Sequence, residues 1–268
     1  MTQHGLRAVG IDPRAQIDAG ATIGPYCSIG PRVRIGAGTV LESHVTLRGK
    51  VTLGAHNHLH SGVVMGRRSR HAGAVVIGAN NVFRECVTVQ GGGPLSAQVT
   101  SIGDHNYLMA CTHVGSGCRL DSHILIANAS KIGSQAHVQN HAFLSGGVVL
   151  RPRVSIGQHA FVSILCRVRQ DVPPFMIVEG VPPRPRCVNL VGLNRRGFSE
   201  GAIRALVKAH RLVYREKIDL PRAFAILQQS ELPLESVGAL FDFIEAQGRG
   251  MHGRALERSC RPSPDSLS

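Results

Sequence analysis

One aliphatic side chain recurs at every sixth position through most of this chain. A first block has no interruption and contains Ile11, Ile17, Ile23, Ile29, Ile35, Leu41, Leu47, Leu53 and Leu59. A second block contains Ile102, Leu108, Val114, Leu120, Ile126, Ile132, Val138, Leu144, Leu150, Ile156, Val162 and Val168. Between the blocks the phase is kept by Met65, Ile77, Phe83 and Val89, with His71 as its one polar member, and it slips by one residue within 91–96.

A period of six matches neither an α-helix nor a simple two-faced strand. It is typical of a hexapeptide β-helix, in which three short strands form one coil and each strand contributes one inward aliphatic side chain. A coil then takes eighteen residues and adds about 4.8 Å along the axis. The span 11–168 predicts roughly nine coils, a rod on the order of 40 Å long. Glycine often follows the aliphatic position, as at Gly54 and Gly78, and predicts a sharp bend of the backbone there.

The composition agrees with stacked aliphatic side chains rather than an aromatic core, because the 268 residues include no Trp, three Tyr and 31 Gly. The seven Cys are odd in number and form no Cys-x-x-Cys pair, so reduced thiols are expected rather than a disulfide framework or a zinc site. The N-terminus lacks the apolar core of a signal peptide, and no apolar run reaches the length of a membrane span. These features predict a cytoplasmic protein.

The formal net charge of +13 predicts an anionic partner. The candidates are a nucleic acid, an acidic protein, a phosphorylated ligand and an anionic membrane surface. The sequence contains no helix-turn-helix, zinc finger or aromatic stacking platform, which argues against nucleic acid.

The chain divides into three parts. Residues 1–188 are expected to form the β-helix, with excursions near 66–73 and 91–98, where Gly, Pro and basic residues concentrate. The Pro-rich stretch 182–186 reads as a stiff basic connector, and 189–252 as a helical domain. In that domain Ser199 is the N-cap of a first helix whose apolar positions are Ile203, Leu206, Val207, His210, Val213 and Tyr214, and further helices are expected over 221–229 and 234–247. Residues 253–268 are expected to be a disordered tail.

Three motifs stand out near the end of the repeats and beyond them, namely Gln-Asp-Val-Pro-Pro at 170–174, Asn-Leu-Val-Gly-Leu-Asn-Arg-Arg-Gly-Phe-Ser at 189–199, and Phe-Asp-Phe-Ile at 241–244 before Arg249 and Gly250. They resemble the UDP-N-acetylglucosamine acyltransferases of lipid A biosynthesis. The second is similar to the family signature at the junction into the helical domain. The resemblance covers nearly the whole chain, whereas hexapeptide repeats alone occur in many unrelated proteins.

The resemblance implies an all-β fold with a small α domain, namely a left-handed parallel β-helix followed by a C-terminal helical domain, assembled as a homotrimer. It also implies transfer of a 3-hydroxyacyl chain from acyl carrier protein to a nucleotide sugar, a UDP-amino sugar. In that mechanism a His takes the proton of the sugar hydroxyl, and a backbone N–H stabilises the oxyanion. No metal and no cofactor is required.

The sequence departs from the family pattern in the expected catalytic cleft. The family segment reads roughly His-Ile-Ala-His-Asp-Cys with the second His as base, whereas residues 113–118 read His-Val-Gly-Ser-Gly-Cys. Ser116 therefore stands at the position of the base, and a neutral serine cannot act as a general base near pH 7. Further family positions are replaced at Gln90, Ser134, Gln135, Arg151 and Pro152, and a basic loop at 67–71 replaces the sugar-contacting loop.

Four residues are candidates for the site. His113 is the candidate catalytic residue as a relocated base, with a ligand-bonding or surface His as the alternative. Asn189 and Arg195 match family positions for ligand and carrier binding, Arg196 is adjacent, and guanidinium groups suit phosphate and carboxylate; a solvated basic helix start is the alternative for the arginines. Ser116 as a nucleophile would need a base of its own.

Four further histidines lie one coil apart, at His105, His123, His141 and His159. They are expected to stack at one corner at about 4.8 Å and to suppress one another's protonation. The interpretations are a polar ladder at a corner or subunit interface, a pH-sensitive subunit contact, and a metal-binding strip, which a linear stack disfavours.

Three functional interpretations follow. The first is an acyl-carrier-protein-dependent O-acyltransferase of the lipid A type, acting on the usual substrate or on an altered one. The second, favoured by the replaced cleft residues, is a repurposed paralogue that binds an acyl, nucleotide or protein ligand without transfer. The third is a structural or nucleic-acid-associated solenoid, which only the charge supports.

Overall fold

The computed structural model describes residues 10–66, 73–92 and 99–257. It confirms the predicted rod, which is a left-handed parallel β-helix of about nine turns followed by a C-terminal helical region. Each coil contributes one short strand to each of three faces, and every strand pairs in parallel with its counterparts in the neighbouring coils. Most of each predicted excursion, near 66–73 and 91–98, lies outside the described residues, which exclude 67–72 and 93–98.

The three faces are named here in the order in which the chain visits them. The first face consists of Gly10–Ile11, Ser28–Ile29, Thr46–Arg48, Val64–Gly66, Thr88–Val89, His113–Val114, Lys131–Ile132, Val149–Leu150 and Arg167–Val168. The second face consists of Gln16–Ile17, Val33–Ile35, Val51–Leu53, Val75–Ile77, Thr100–Ile102, Arg119–Leu120, His137–Val138 and Ser155–Ile156. The third face consists of Thr22–Ile23, Val40–Leu41, His58–Leu59, Val82–Phe83, Tyr107–Leu108, Leu125–Ile126, Phe143–Leu144, Phe161–Val162, Met176–Glu179 and Arg184–Val188.

The period-six side chains form the core of the rod. From Ile29 onward the described members of the series are almost completely buried; Leu59 and Val114, for example, are 0% exposed. Burying a Leu, Ile or Val side chain stabilises a fold by roughly 1.5–3 kcal/mol. The residue two positions earlier is often buried as well, as at Val45, Val63 and Val87, whereas the residue between the two is at least partly exposed there.

The glycines after the aliphatic position have a different role from the predicted one. A Cβ on Gly54 would lie 2.5 Å from the carbonyl oxygen of Gly78 in the next coil, so glycine is required by the close approach of two coils. The left-handed backbone lies two residues later, at His56 with φ 54° and at Asn80 with φ 58°. The sharp bend is therefore made by His, Asn or similar residues, which tolerate this conformation better than β-branched ones.

A buried asparagine ladder closes the corner between the second and third faces. The side-chain oxygen of Asn57 accepts from the side chain of Asn81 at 2.9 Å, and that of Asn81 accepts from the backbone N–H of Asn106 at 2.8 Å. Their side-chain amides donate to glycine or aspartate carbonyls of the same or the next coil. Each buried amide thereby finds the partners that it needs, as buried polar groups must.

The predicted basic connector is a β-hairpin arm. Arg184–Val188 pairs antiparallel with Met176–Glu179, which itself continues the third face beside Phe161–Val162. Proline is tolerated here because the outer strand lies at the edge of the sheet. Phe175, Met176 and Val188 belong to the same apolar cluster as the helices, so the hairpin joins the rod to the helical region.

The helical region contains α1 (Leu190–Arg195), α2 (Glu200–His210), α3 (Leu220–Gln228) and α4 (Glu235–Arg249), and α2 continues as a π-helical turn over Arg211–Arg215. The predicted N-cap is confirmed, since the hydroxyl of Ser199 accepts from the backbone N–H of Ala202 at 3.2 Å. Val207, predicted to face the core, is 45% exposed, and Leu212 is buried instead. Val207 lies outside the buried face of α2, which consists of Ile203, Ala205, Leu206, Ala209 and His210. The short α1 was not predicted.

Asp171 fastens the end of the rod to the C-terminal segment. Its carboxylate accepts from the backbone N–H groups of Ser155 and Ala255, each at 2.7 Å. Its backbone N–H donates to Gly253, and its carbonyl accepts from Gln247 of α4. Residues 253–257, which the sequence analysis places in a disordered tail, are thus packed against the last coil, and 258–268 lie outside the described residues.

We expect Asp171→Asn to lower the free energy of unfolding by about 1–3 kcal/mol, because an amide NH₂ would face one of the two backbone N–H donors and leave it unsatisfied. Chemical denaturation followed by circular dichroism measures this loss. Asp242→Asn is the matched control, since Asp242 is exposed on α4. Equal stability of the two variants would contradict the role given to Asp171.

Candidate active site

His113 projects outward from the first face. Its strand neighbour Val114 is fully buried, and in the flanking coils its register partners are Thr88 and Lys131. The Nδ1 atom of His113 lies 2.7 Å from the hydroxyl oxygen of Thr88. This contact fixes the orientation of the ring, as predicted for an outward residue on this strand.

The surroundings of His113 keep its imidazole neutral. Its side chain is half-buried, and this burial lowers its pKa below the ordinary value of 6.5, with the nearby positive charge of Lys131 acting in the same direction. A neutral imidazole has one donor and one acceptor nitrogen. In the tautomer whose Nδ1–H donates to Thr88, Nε2 is the acceptor that a general base needs.

The position of the expected base is occupied by a hydroxyl pair. Ser116 follows His113 at the corner after the first face, and its hydroxyl donates to that of Ser134 one coil further at 3.3 Å. In the following coil Arg153 donates to the side chain of Gln135 at 2.8 Å. These two neighbouring columns contain neutral hydrogen-bonding groups and a guanidinium group, and none of them accepts a proton near pH 7.

A cleft of about 1040 Å³ lies between the last coils, the hairpin and the C-terminal segment. Its lining includes five arginines, namely Arg151, Arg167, Arg169, Arg184 and Arg254, against two acidic residues, Asp171 and Glu257. Arg254 is buried and already donates to the carbonyl of Arg169 at 2.9 Å. The excess of guanidinium groups makes this cleft suitable for an anionic group. This cleft was not predicted from the sequence, although Arg151 and Arg169 recur one coil apart and could have indicated a cationic surface.

Asn189 has a structural position at the junction. It is 9% exposed, and its side-chain oxygen caps α1 by accepting from the N–H of Gly192 at 3.1 Å. Its amide donates to the carbonyl of His159 at 2.9 Å and so ties the helix to the rod. Its predicted contact with a ligand stays a prediction.

Arg195 and Arg196 end α1 with exposed side chains. Neither takes part in an ion pair within the described part of the chain. Arg196 lies near enough to the histidine ladder to lower the pKa of three of its members. The structure thus places a free guanidinium group beside the ladder.

The predicted histidine ladder is present. The ring centroids of His105, His123, His141 and His159 are 4.9, 4.8 and 4.7 Å apart in succession, and the stack continues to Phe175. Burial lowers the pKa of His159 to about 4, with His141 and Arg196 adding to the effect. The pKa values of His123 and His141 are also lowered, first by burial and then by nearby charges that include the preceding ladder histidine. The nearly parallel rings do not converge on a common point, which disfavours a metal strip.

His113 and Arg196 lie on opposite sides of the rod. His113 is on the first face, whereas the ladder beside Arg196 lies on the opposite edge, between the second-face strand Arg119–Leu120 and the third-face strand Leu125–Ile126. A small ligand bound to one chain cannot contact both.

None of the helices in the described ranges is long and apolar enough to cross a membrane.

The comparisons with known proteins agree over nearly the whole chain. The model of the family "Udp N-acetylglucosamine O-acyltransferase; Domain 2" matches residues 171–252. The acyl-[acyl-carrier-protein]–UDP-N-acetylglucosamine O-acyltransferase of Halorhodospira halophila is 38% identical over 247 residues, 90% of this chain and 96% of that protein. The enzyme of the same name from Burkholderia thailandensis is 34% identical over 183 residues, 66% of this chain and 69% of that protein.

Solved structures lead to the same result. The UDP-N-acetylglucosamine acyltransferase of Francisella novicida superposes with a TM-score of 0.83 at 29% identity, covering 94% of this chain and 93% of that one. LpxA from Acinetobacter baumannii superposes with a TM-score of 0.81 at 29% identity, covering 87% of this chain and 93% of that one. Identity, coverage and fold together show that the chain belongs to the UDP-N-acetylglucosamine O-acyltransferase family.

Proposed function

We propose that this chain is an acyl-carrier-protein-dependent O-acyltransferase that moves a 3-hydroxyacyl chain to a UDP-amino sugar. The observation that carries the proposal is His113, a neutral, oriented imidazole on the face that carries the family's catalytic segment. Family membership over nearly the whole chain supports the reaction class. The replaced residues around His113 favour an acceptor or acyl chain different from the usual one.

His113 serves as the general base of this reaction. Its Nε2 takes the proton of the acceptor hydroxyl while that oxygen attacks the thioester carbonyl. A backbone N–H group stabilises the negative oxygen of the tetrahedral intermediate. Collapse breaks the C–S bond, the proton passes from the imidazolium to the leaving thiol, and an ester remains.

The positive charge of the chain suits both substrates. A carrier protein of acidic character and the pyrophosphate of a nucleotide sugar are anions, and the chain has a net charge of +13. Arg195 and Arg196 are exposed for such contacts, and the four exposed arginines of the cleft, Arg151, Arg167, Arg169 and Arg184, add a second cationic surface. Acyl carrier protein and nucleotide sugars are cytoplasmic molecules, so we infer a cytoplasmic location.

We infer a homotrimer with sites between its subunits. His113 and Arg196 of one chain lie on opposite sides of the rod, yet both are candidate contacts of one substrate. Packing the first face of one chain against the ladder edge of a neighbour brings them together. A closed ring of three such heterologous contacts uses each surface once.

A second function is a repurposed paralogue that binds the same ligands without transfer. It is favoured by the Ser116 and Ser134 hydroxyl pair, which occupies the position of the family base and leaves no proton acceptor there. The side-chain amide of Asn189 also favours this second function, because its oxygen caps α1 and its nitrogen donates to the carbonyl of His159.

The test is an assay of the full chain with 3-hydroxyacyl carrier proteins of several chain lengths and UDP-N-acetylglucosamine, read by mass spectrometry. We expect product, and we expect His113→Ala to lower kcat by about 10²–10⁴-fold, the usual contribution of a general base. His44→Asn is the control, because His44 is exposed and Asn tolerates its positive φ. Product only from Ser116→His, with the native chain binding but inactive, would establish the repurposed paralogue instead.

The pH dependence provides a separate check. Because the pKa of His113 is lowered, the base form predominates at pH 7, and kcat/KM should fall only when the pH drops below 6.5. Replacing Lys131 by Gln removes a nearby positive charge, so the acidic limb should move to higher pH. If the acidic limb of the kcat/KM profile does not move in Lys131→Gln, His113 is not the group whose titration this limb reports.

Sedimentation equilibrium tests the assembly. At pH 8 we expect three times the chain mass of 28.6 kDa. We expect the same mass at pH 5.5, since burial holds the pKa of His159 at about 4 and the innermost ladder ring stays neutral. A lower mass of the assembly at pH 5.5 would instead indicate that the histidine ladder is a pH-sensitive subunit contact.

A further inference from the structure

A second cluster of ionisable side chains lies on the third face, far along the rod from the arginine cleft. Glu42 follows the strand Val40–Leu41, and His58 and His60 flank the inward Leu59 one coil later. All three side chains are outside the core and partly exposed. None of them belongs to the three motifs, at 170–174, 189–199 and 241–250, on which the family resemblance was first recognised.

Both histidines direct a ring nitrogen to the same carboxylate oxygen of this cluster. The Oε1 atom of Glu42 lies 3.0 Å from Nε2 of His58 and 3.1 Å from Nδ1 of His60. One donor atom from each of the three residues falls within 4.8 Å of the other two. Four ligands at about 2.0–2.2 Å around a tetrahedral Zn²⁺ are separated by roughly 3.3–3.5 Å, so these spacings need only small adjustments.

A fourth possible ligand atom, an oxygen of a second carboxylate, is close. Oε1 of Glu85, from the next coil, lies 3.5 Å from Nδ1 of His60. Arg84 pairs with Glu85 and also donates to the hydroxyl of Tyr107 at 2.9 Å, which holds this carboxylate at the edge of the cluster. Two imidazoles and two carboxylates form a ligand set suited to a divalent transition metal.

The principal carboxylate is held in place by its own partners. The Oε2 atom of Glu42 accepts from both the backbone N–H and the hydroxyl of Ser61, each at 3.1 Å. Oε1 is thereby left facing the two histidines. Hydrogen bonds that orient a ligating carboxylate in this way are a usual part of protein metal sites.

We propose that Glu42, His58 and His60 form a binding site for a divalent transition metal ion of the Zn²⁺ class, with Glu85 or water as the fourth ligand. The two imidazole rings are stacked at 4.3 Å with planes 10° apart. Their lone pairs therefore converge only after a rotation of one ring about χ2. The ion would link two consecutive coils, or three with Glu85, and would act as a structural clip separate from His113 and acyl transfer.

The histidine ladder provides the internal contrast. It also stacks imidazole rings one coil apart, but none of its rings has a carboxylate in hydrogen-bond contact among the described residues. The chain has 14 histidines in all, and a metal that bound to any accessible imidazole would not distinguish the ladder from the cluster.

The experiment is calorimetric titration of the metal-free full chain with Zn²⁺, repeated with Co²⁺, whose visible spectrum reports tetrahedral coordination. We expect one site per chain, which His58→Ala/His60→Ala abolishes. Ser61→Ala should weaken binding by about 10–100-fold, the usual effect of removing a hydrogen bond to a ligand. Zn²⁺ should also raise the melting temperature of the native chain but not that of the double variant.

Two controls separate the site from general histidine binding and from misfolding. His44→Asn and His123→Asn should bind Zn²⁺ as the native chain does. Glu42→Gln keeps the shape of the side chain, and its circular dichroism in EDTA should match the native spectrum while binding is lost. Absence of a stoichiometric site in the native chain, or equal affinity in His58→Ala/His60→Ala, would overturn the proposal.

Discussion

The stacking of one coil on the next governs this protein. Each short strand is too small to be stable alone, and it gains its hydrogen bonds only from the same strand position one coil away. Residues that occupy one position in successive coils therefore form a column. Inward columns become the aliphatic core, and the close approach of coils at Gly54 and Gly78 leaves no space for a side chain.

The same rule explains the polar columns and the chemistry they can support. Buried asparagines satisfy one another from coil to coil, and four histidines stack into a ladder in which burial lowers the pKa of His159 to about 4. The column that should contain the catalytic base has hydroxyl groups at Ser116 and Ser134 instead. His113, three residues before Ser116, retains a neutral ring whose orientation is fixed by Thr88. A change of a few columns thus alters the site without disturbing the fold.

The cationic surfaces depend on the point where the rod ends. Asp171 connects the last coils to the C-terminal segment, and Asn189 connects α1 to the carbonyl of His159. These two joints set the arginine cleft on one side and Arg196 beside the ladder on another. Because His113 faces away from Arg196, a complete site requires a neighbouring subunit, which relates the proposed trimer to the proposed chemistry.

The sequence by itself determined the rod, its coil length, the inward residues and the stacked histidines, because a strict period leaves one arrangement of inward and outward positions. It also identified Ser199 as a helix cap and the replacement of the base at Ser116. Only the tertiary structure revealed the hairpin at 176–188, the packed segment 253–257, the Thr88 contact and the meeting of Glu42 with His58 and His60. These features bring together residues from different coils or different elements, and their side-chain directions follow from packing that no local pattern encodes.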